Sequence, residues 1–447
     1  MPSTSADAPP PDAPLLDVTG LDVRPFRALT YRDHTPEHLA RVSSPAYDLV
    51  TAAGRDRLAA TDPHNIVRLI LPHVDPVAGA DTTRAGRDRS SAEAAARTLG
   101  TWLEQQVLVA DDVPALWRYE MAAPGTEPTT GWLGAVALPP PGSAAVLPHE
   151  DTFAPAVAGR AALLAATHTD LEPIVLAHDP DPQVAELTRL AGAGEPSLEV
   201  ADPDGVVHRL WRVTDPGLVD RLTRALAGTR AVIADGHHRF AAAREHVTGS
   251  AAAGAEAGGH GRVLALLTPM GTGGLQVRAI HRVIPDLSLA EALHLAGAGF
   301  TVRDLEPAGG DLPAAVRAWT AGTGGPAFLV TDGVGLAELS EPSPEVRATV
   351  PAEAPAAWRG LDVVLVHAAL LSALWGRADD PASVLVAHDV GEALQLAAER
   401  DGVAVLLRSP SPADVAAVAR AGARMPRKST LFVPKPRTGL VLRPHGD

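Results

Sequence analysis

Five consecutive residues, Asp235-Gly-His-His-Arg239, bring a carboxylate, two imidazoles and a guanidinium together around one glycine. An apolar run, residues 231–234, precedes them and reads as a buried strand. An alanine-rich segment, residues 240–246, follows and reads as a helix. The polar groups therefore sit where a strand ends and a helix begins, the place where open α/β sheets bind ligands. A helix start offers unpaired N–H groups and a positive dipole end, which suit a phosphate. Gly236 permits a sharp turn and close approach of a ligand to the backbone. A plainer reading has Asp235 capping a helix and the histidines solvated. Two histidines and an arginine at one helix start favour the chemical reading. A bis-histidine metal site fits less well. Adjacent helical residues point about 100° apart, whereas zinc helices space their ligands at i and i+4. The chain also has no cysteine to complete a soft site.

Two further clusters carry chemistry. His149 and Glu150 follow a strand read over residues 132–138 and a proline-rich turn. A carboxylate beside an imidazole there serves as a base or a metal ligand. Near the end of the chain lies Met425-Pro-Arg-Lys-Ser-Thr-Leu-Phe-Val-Pro-Lys435. Lys428 and Lys435 are the only lysines, against 36 arginines. An arginine does not replace a compact ammonium, so two lysines kept this close suggest positions that need one, with Ser429 and Thr430 adding hydroxyl donors. Lys-Ser-Thr resembles the close of a phosphate loop, but the Walker glycine spacing is absent. Asp48, in the turn Ser44-Pro-Ala-Tyr-Asp48, and His281, beside Arg278 on a strand, are expected to reach substrate. So is Arg68, on a strand read over residues 65–71; for Asp48 and Arg68, an ordinary turn or strand-edge role competes.

The elements that must position these groups alternate. Helices are expected over residues 80–106, 160–167, 185–190, 216–227, 287–299, 362–375 and 412–421. Strands are expected over 115–121, 132–138, 171–176, 207–213, 262–267, 275–284, 300–304, 327–331, 335–339, 382–388 and 403–407. Asp389 has the spacing of a helix cap. The glycine- and alanine-rich stretch 249–261 reads as a loop beside the site. The organisation expected is a disordered tail over 1–20, an α/β region over 21–285 and a smaller α/β region over 286–447 that returns to the site. Net charge is −15, which argues against a nucleic-acid surface. Apolar residues make up 46% and charged residues 20%, an ordinary globular balance. The absence of cysteine excludes thiol catalysis and disulfides. The start of the chain lacks the pattern of a signal peptide, and the apolar stretches are too short to span a membrane. The cytoplasm is the expected location.

The junction Asp235-Gly-His-His-Arg-Phe resembles the central motif of the uncharacterised bacterial family of unknown function numbered 1015. The resemblance spans nearly the whole chain after the first twenty residues. It includes Ser44-Pro-Ala-Tyr-Asp48, where the family has Pro-Pro-Tyr-Asp; Asn65-Ile-Val-Arg-Leu69; Leu147-Pro-His-Glu-Asp-Thr152; and the C-terminal Lys428-Ser-Thr-Leu-Phe-Val-Pro-Lys435. It fails at Val157-Ala-Gly-Arg160, where the family's lysine and aspartate are missing, and at Asp170 and Glu172, where the family has Asn-x-Ser-Pro-Ile. The junction is also similar to that of ParB/sulfiredoxin-like folds, including archaeal ADP-dependent free-serine kinases. That likeness implies an α/β, mixed α+β protein with a ParB/sulfiredoxin-like core and an added mixed-sheet C-terminal region.

The expected function is a nucleotide-dependent kinase of a small, serine-like hydroxy compound. Glu150 or Asp235 would accept the hydroxyl proton, and His237 and His238 would bind phosphate or position the base. Gly236, Arg239, Lys428, Ser429, Thr430 and Lys435 would hold phosphates, and His149, Asp48 and His281 would meet substrate. No dedicated metal site is expected; Mg2+ arriving with ATP or ADP fits. The rival reading is a non-catalytic nucleotide- or metabolite-binding regulator of ParB type. The partners expected are a small molecule and a nucleotide, with neither membrane nor nucleic acid.

Overall fold

A computed structural model describes residues 20–73, 83–252 and 261–446, save for 272, 307–310, 323, 379, 381 and 427. The expected tail lies, apart from Gly20, outside the described residues, as do 253–260 of the glycine-rich stretch and 80–82 of the first long helix. The architecture is mixed α/β, as expected. Two compact units divide the chain. One runs to Leu275 and resumes at Pro434; the other is Gln276–Val433. The boundary expected after residue 285 falls earlier, because Gln276–Ala279 and His281–Ile284 pair with strands of the second unit.

The first unit is built on a nine-stranded mixed sheet. Its strands are β1 Val23–Arg24, β2 Leu116–Ala122, β3 Thr129–Ala137, β4 Val146–Leu147, β5 Ile174–His178, β6 Leu198–Ala201, β7 Val207–Val213, β8 Ala231–Asp235 and β9 Arg262–Pro269. They lie in the order β4-β8-β5-β9-β3-β2-β7-β6, with β1 paired to β3. Apolar residues of β5, β8 and β9, such as Ile174, Leu176, Ile233, Ala265 and Leu267, are buried in one core with Trp132, Leu187, Leu226 and Phe240. The longer helices of the unit are α1 Arg84–Glu104, α2 Ala154–Thr167, α3 Pro182–Ala191, α4 Pro216–Leu226 and α5 His237–Ala252, and α2 packs on both α1 and α5. Starts are set locally: Asp181 and Asp215 accept the first free N–H groups of α3 and α4, and a proline follows each.

Two details matter for the site. The pairing of β4 with β8 is parallel, with Val146 beside Ala231 and Leu147 beside Val232. Both strands therefore end on the same side. The β8–β5 register slips between Ile233 and Asp235, a bulge that turns the end of β8 and re-aims its side chains.

The stretch 65–71 is not a strand. Val67–Ile70 forms a short helix. Its branched residues suit a strand by pattern, but the Asn65 side chain decides the turn: its oxygen accepts from Val67 N–H at 3.0 Å and its amide donates to the Arg41 carbonyl at 2.6 Å. Ile66, Val67, Leu69 and Ile70 are fully buried.

The second unit carries an antiparallel six-stranded sheet. Its strands, after β10 Gln276–Ala279, are β11 His281–Ile284, β12 Thr301–Asp304, β13 Ala327–Thr331, β14 Leu336–Ser340, β15 Leu385–Ala387 and β16 Val403–Leu406. The order is β12-β14-β13-β16-β11-β15, while β10 pairs separately with β17, Thr430–Val433. Its core joins Val283, Leu329, Leu336, Ala393 and Leu406. The helix expected over 362–375 is present, but from Val366 to Leu374 it winds as a π-helix. Asp389 caps its helix as expected, accepting from Glu392 N–H at 2.8 Å. Among the described residues no helix is long and apolar enough to cross a membrane.

Candidate functional site

The parallel β4–β8 pair brings two of the sequence clusters together. His149 and Glu150 leave β4 beside the point where Asp235 and Gly236 leave β8. The His149 backbone N–H donates to His237 Nε2 at 3.2 Å, and His149 Nδ1 donates to the Ile233 carbonyl at 2.6 Å. The two imidazoles meet edge to face, 4.6 Å between centroids. With Nε2 of His237 accepting, its proton sits on Nδ1, which faces Glu150 Oε1 at 3.2 Å. His149 and His237 are buried, whereas the Glu150 side chain is 32% exposed. His237 thus fixes a carboxylate that solvent still reaches. His238 accepts from the Phe153 backbone N–H at 3.0 Å, which ties the start of α2 to the start of α5.

Gly236 has φ +93°. A Cβ there would come within 2.8 Å of Ile174, so glycine is required twice, by dihedral and by space. It lets α5 begin at His237 and lets Arg239 fold back onto the strand end. Arg239 Nη2 donates to Asp235 Oδ2 at 2.6 Å, and Nη1 donates to the Pro173 carbonyl at 2.6 Å.

The other carboxylate oxygen of Asp235 accepts from Lys435 Nζ at 2.8 Å, and the same ammonium is bonded to Asp48. Arg239 and Lys435, far apart in sequence, therefore hold one carboxylate between them. Burial by itself would raise the Asp235 pKa, but Arg239 and Lys435 outweigh it and hold the carboxyl below the usual aspartate range. Burial would lower Lys435, but Asp235 and Asp48 push it above the ordinary lysine value.

Lys435 reaches this place because the segment after it is tied down. The Arg437 N–H donates to the Tyr119 hydroxyl at 2.9 Å, and Arg437 Nε donates to Ser43 Oγ at 2.7 Å. Thr438 exchanges backbone bonds with Ser44, and Gly439, at φ +94°, lies against Ile66.

Three residues complete the cluster without having been picked out as site residues. Glu172 is buried and accepts from the Tyr47 N–H at 3.1 Å and the Thr438 hydroxyl at 2.9 Å. The Tyr47 ring faces two guanidinium groups, Arg160 at 4.5 Å and Arg239 at 5.5 Å. Arg160 also donates to the Ile70 carbonyl at 3.0 Å. The available signals were Tyr47 beside Asp48 and the departures from the family pattern at Glu172. Arg68 is spent on a neighbouring carbonyl, that of Ala59, at 2.7 Å.

The remaining candidates belong to the second unit. His281 is buried there, its Nδ1 accepting from the Leu407 N–H at 3.2 Å; burial, then Arg282, push its pKa down to about 4. Lys428 is exposed with φ +51°, Ser429 donates to the Pro426 carbonyl, and Thr430 begins β17.

A cavity of about 50 Å³ beside Arg239, lined also by Arg160, Leu163, Leu164 and Glu172, has room for water but not for a nucleotide. A larger ligand has to meet the cluster from the solvent side, where Asp48 and Glu150 are accessible. A second hollow of the unit, about 720 Å³, is lined by Leu21, Asp22, Arg24, Asp220 and Arg224 and shares no residue with the cluster. Its charges already pair, Arg24 with Asp22 and Arg224 with Asp220. Among the described residues no three His, Asp or Glu side chains converge to hold a metal. Lys435 bridges Asp48 and Asp235, so Mg2+ on these two carboxylates would need Lys435 to move and phosphate oxygens and water as further ligands.

The profile of a family described as "Protein of unknown function (DUF1015)" matches residues 23–364. No curated protein matches the chain. Among solved structures, a conserved hypothetical protein from Pyrococcus furiosus is 14% identical with a TM-score of 0.30, covering 65% of this chain and 87% of that one. A free serine kinase in complex with AMP is 14% identical with a TM-score of 0.29, covering 65% and 84%. SbnI with a C-terminal truncation, from Staphylococcus aureus, is 12% identical with a TM-score of 0.34, covering 67% and 82%.

Proposed function

The chain belongs to the DUF1015 family, and we propose that this member is a nucleotide-dependent phosphotransferase acting on a small hydroxyl-bearing substrate. The observation that carries the reading is the meeting of Arg239 and Lys435 on Asp235 at the start of α5, the helix whose first residue, His237, holds Glu150. Phosphoryl transfer asks a protein for cations around the moving phosphate and for a base at the attacking hydroxyl. Lys435, Arg239 and the first N–H groups of α5 supply the first. Glu150 supplies the second: it takes the proton as the substrate oxygen bonds to the terminal phosphorus and the bond to the leaving nucleotide breaks. His237 holds that carboxylate in place. Mg2+ would be held by Asp48 and Asp235 with phosphate oxygens once Lys435 has left those carboxylates for the phosphate, and it would add positive charge. A serine-like hydroxy compound is the substrate class that the Asp-Gly-His-His-Arg resemblance suggests.

One observation favours a second reading, a nucleotide- or metabolite-binding regulator. Both cations are already paired with carboxylates, so a phosphate must rearrange the Lys435 pairs, and a sensor uses such a rearrangement as its signal. One experiment separates the two. The protein is screened by thermal shift with ATP and ADP, and bound nucleotides are then assayed for transfer to a panel of hydroxy compounds. Stabilisation with turnover supports the enzyme. Stabilisation without transfer to any acceptor supports the regulator, and no shift with either nucleotide removes the enzyme and the nucleotide-binding form of the regulator.

A further inference from the structure

Few large apolar side chains of the first unit stand in water. Among the described residues of that unit the two most exposed are Phe153, at 61%, and Leu49, at 52%, one next to His238 and the other next to Asp48. Leu49 follows Asp48 in one short turn, Tyr47–Leu49. Phe153 is joined to His238 by its backbone N–H. The chain has six phenylalanines, three tyrosines and seven tryptophans. Phe153 is the only aromatic among the large apolar side chains exposed in the described residues.

A phenylalanine left in water forgoes the gain that burial brings. The bond that anchors the residue comes from its backbone and leaves the ring uninvolved. An exposed ring anchored beside the start of α5, where His237, His238 and Arg239 follow one another, suits a ligand with one ionic end and one flat apolar end.

Resting on the phosphate-binding reading above, we propose that Phe153 is the stacking platform for the base of a nucleotide whose phosphates face Lys435 and Arg239. Stacking on a ring makes no use of the hydrogen-bonding edge of a base. Affinity therefore follows ring area, with purine nucleotides above pyrimidine nucleotides.

The test is calorimetric titration of the full chain with ATP, with CTP and with inorganic tripolyphosphate, which has the phosphates and no base. Phe153→Ala and Phe153→Leu, with folding checked by circular dichroism, should each bind ATP about 5- to 100-fold more weakly. Tripolyphosphate should bind all forms within about twofold, and Phe153→Trp should keep the ATP affinity. The stacking role is overturned if both ring-less variants bind ATP as the parent does, or if they lose ATP and tripolyphosphate alike. It is also overturned, with the phosphate reading intact, if the parent binds tripolyphosphate as tightly as ATP. A parent that binds neither ligand ends the phosphate reading and the stacking role with it.

Discussion

Glu150 and Lys435 are held by partners of different kinds, and the difference sets what each substitution does. Glu150 is held through one oxygen by a neutral imidazole and is partly in water. Glu150→Gln keeps an oxygen that accepts from His237 but cannot take a proton. Melting temperature and nucleotide affinity should stay as they are, and kcat should fall about 100-fold or more, the usual worth of a general base. An active Gln variant would shift the base to Asp235. Lys435 is buried between two carboxylates, and removing one partner of a buried pair leaves charge uncompensated. Lys435→Met should lose about 2–4 kcal/mol at neutral pH in chemical denaturation. The sign with pH follows from Asp235, whose folded pKa lies below 3.8. A depressed carboxyl contributes stability above its unfolded pKa and loses it as pH falls through the folded value. The gap between parent and variant should therefore narrow below about pH 4. A constant gap down to pH 2 would show that the loss is packing rather than charge.

At the scale of elements, the site is one β-strand, one turn and one helix, completed by the strand beside it. The turn is the weak point. Gly236→Ala forces a left-handed φ on a residue with a Cβ and drives that Cβ into Ile174. A loss of about 1–3 kcal/mol is expected, together with weaker anion binding, because α5 can no longer start beside Asp235. Unchanged stability would mean that Ile174 yields and the strand end re-forms. Much of this element was legible in the sequence, since the apolar run, the glycine and the alanine-rich segment follow one another. The neighbouring strand was not. Val146–Leu147 is two residues long, too short for any periodicity, and only its parallel pairing explains why Glu150 arrives at His237. The stretch 65–71 shows the reverse error, where branched apolar residues promised a strand and the side-chain bonds of Asn65 made a turn of helix.

At the scale of the molecule, acid acts on each unit through different buried groups. In the first, His178 and His208 are held below the ordinary histidine value, mainly by burial. Both resist protonation in the folded state, so that unit loses stability as pH falls below 6.5. Asp170, kept low by His445 and Arg443 against its burial, extends the loss below 3.8. In the second unit two groups oppose each other. His281, at about 4, makes stability fall as pH drops below 6.5. Asp362, pushed up to about 6 by burial, makes stability fall as pH rises from 3.8 through 6. Asp362→Asn should therefore stabilise the second unit by about 1–3 kcal/mol at pH 7, and the gain should vanish below about pH 4. Hydrogen exchange of β13 and β16 amides would read it; a variant no more protected than the parent at pH 7 would refute the burial cost.

The sequence by itself determined the local pieces: the α/β alternation, the strand–glycine–helix junction and the residue types that do ionic chemistry there. These depend on periodicity, on φ and on side-chain chemistry, which act over a few neighbours. It also marked Lys435 as unusual, through a count of lysines against arginines. Only the tertiary structure decided which groups meet. Asp48 and Asp235 share the Lys435 ammonium because the chain after Pro434 returns to the first unit and is tied there by Arg437, Thr438 and Gly439. Glu172, by sequence a departure from a family pattern, is by structure the acceptor that joins Tyr47 to Thr438. Such pairings are set by sheet order and by where a distant segment finds its hydrogen bonds, and no local pattern in a single chain records either.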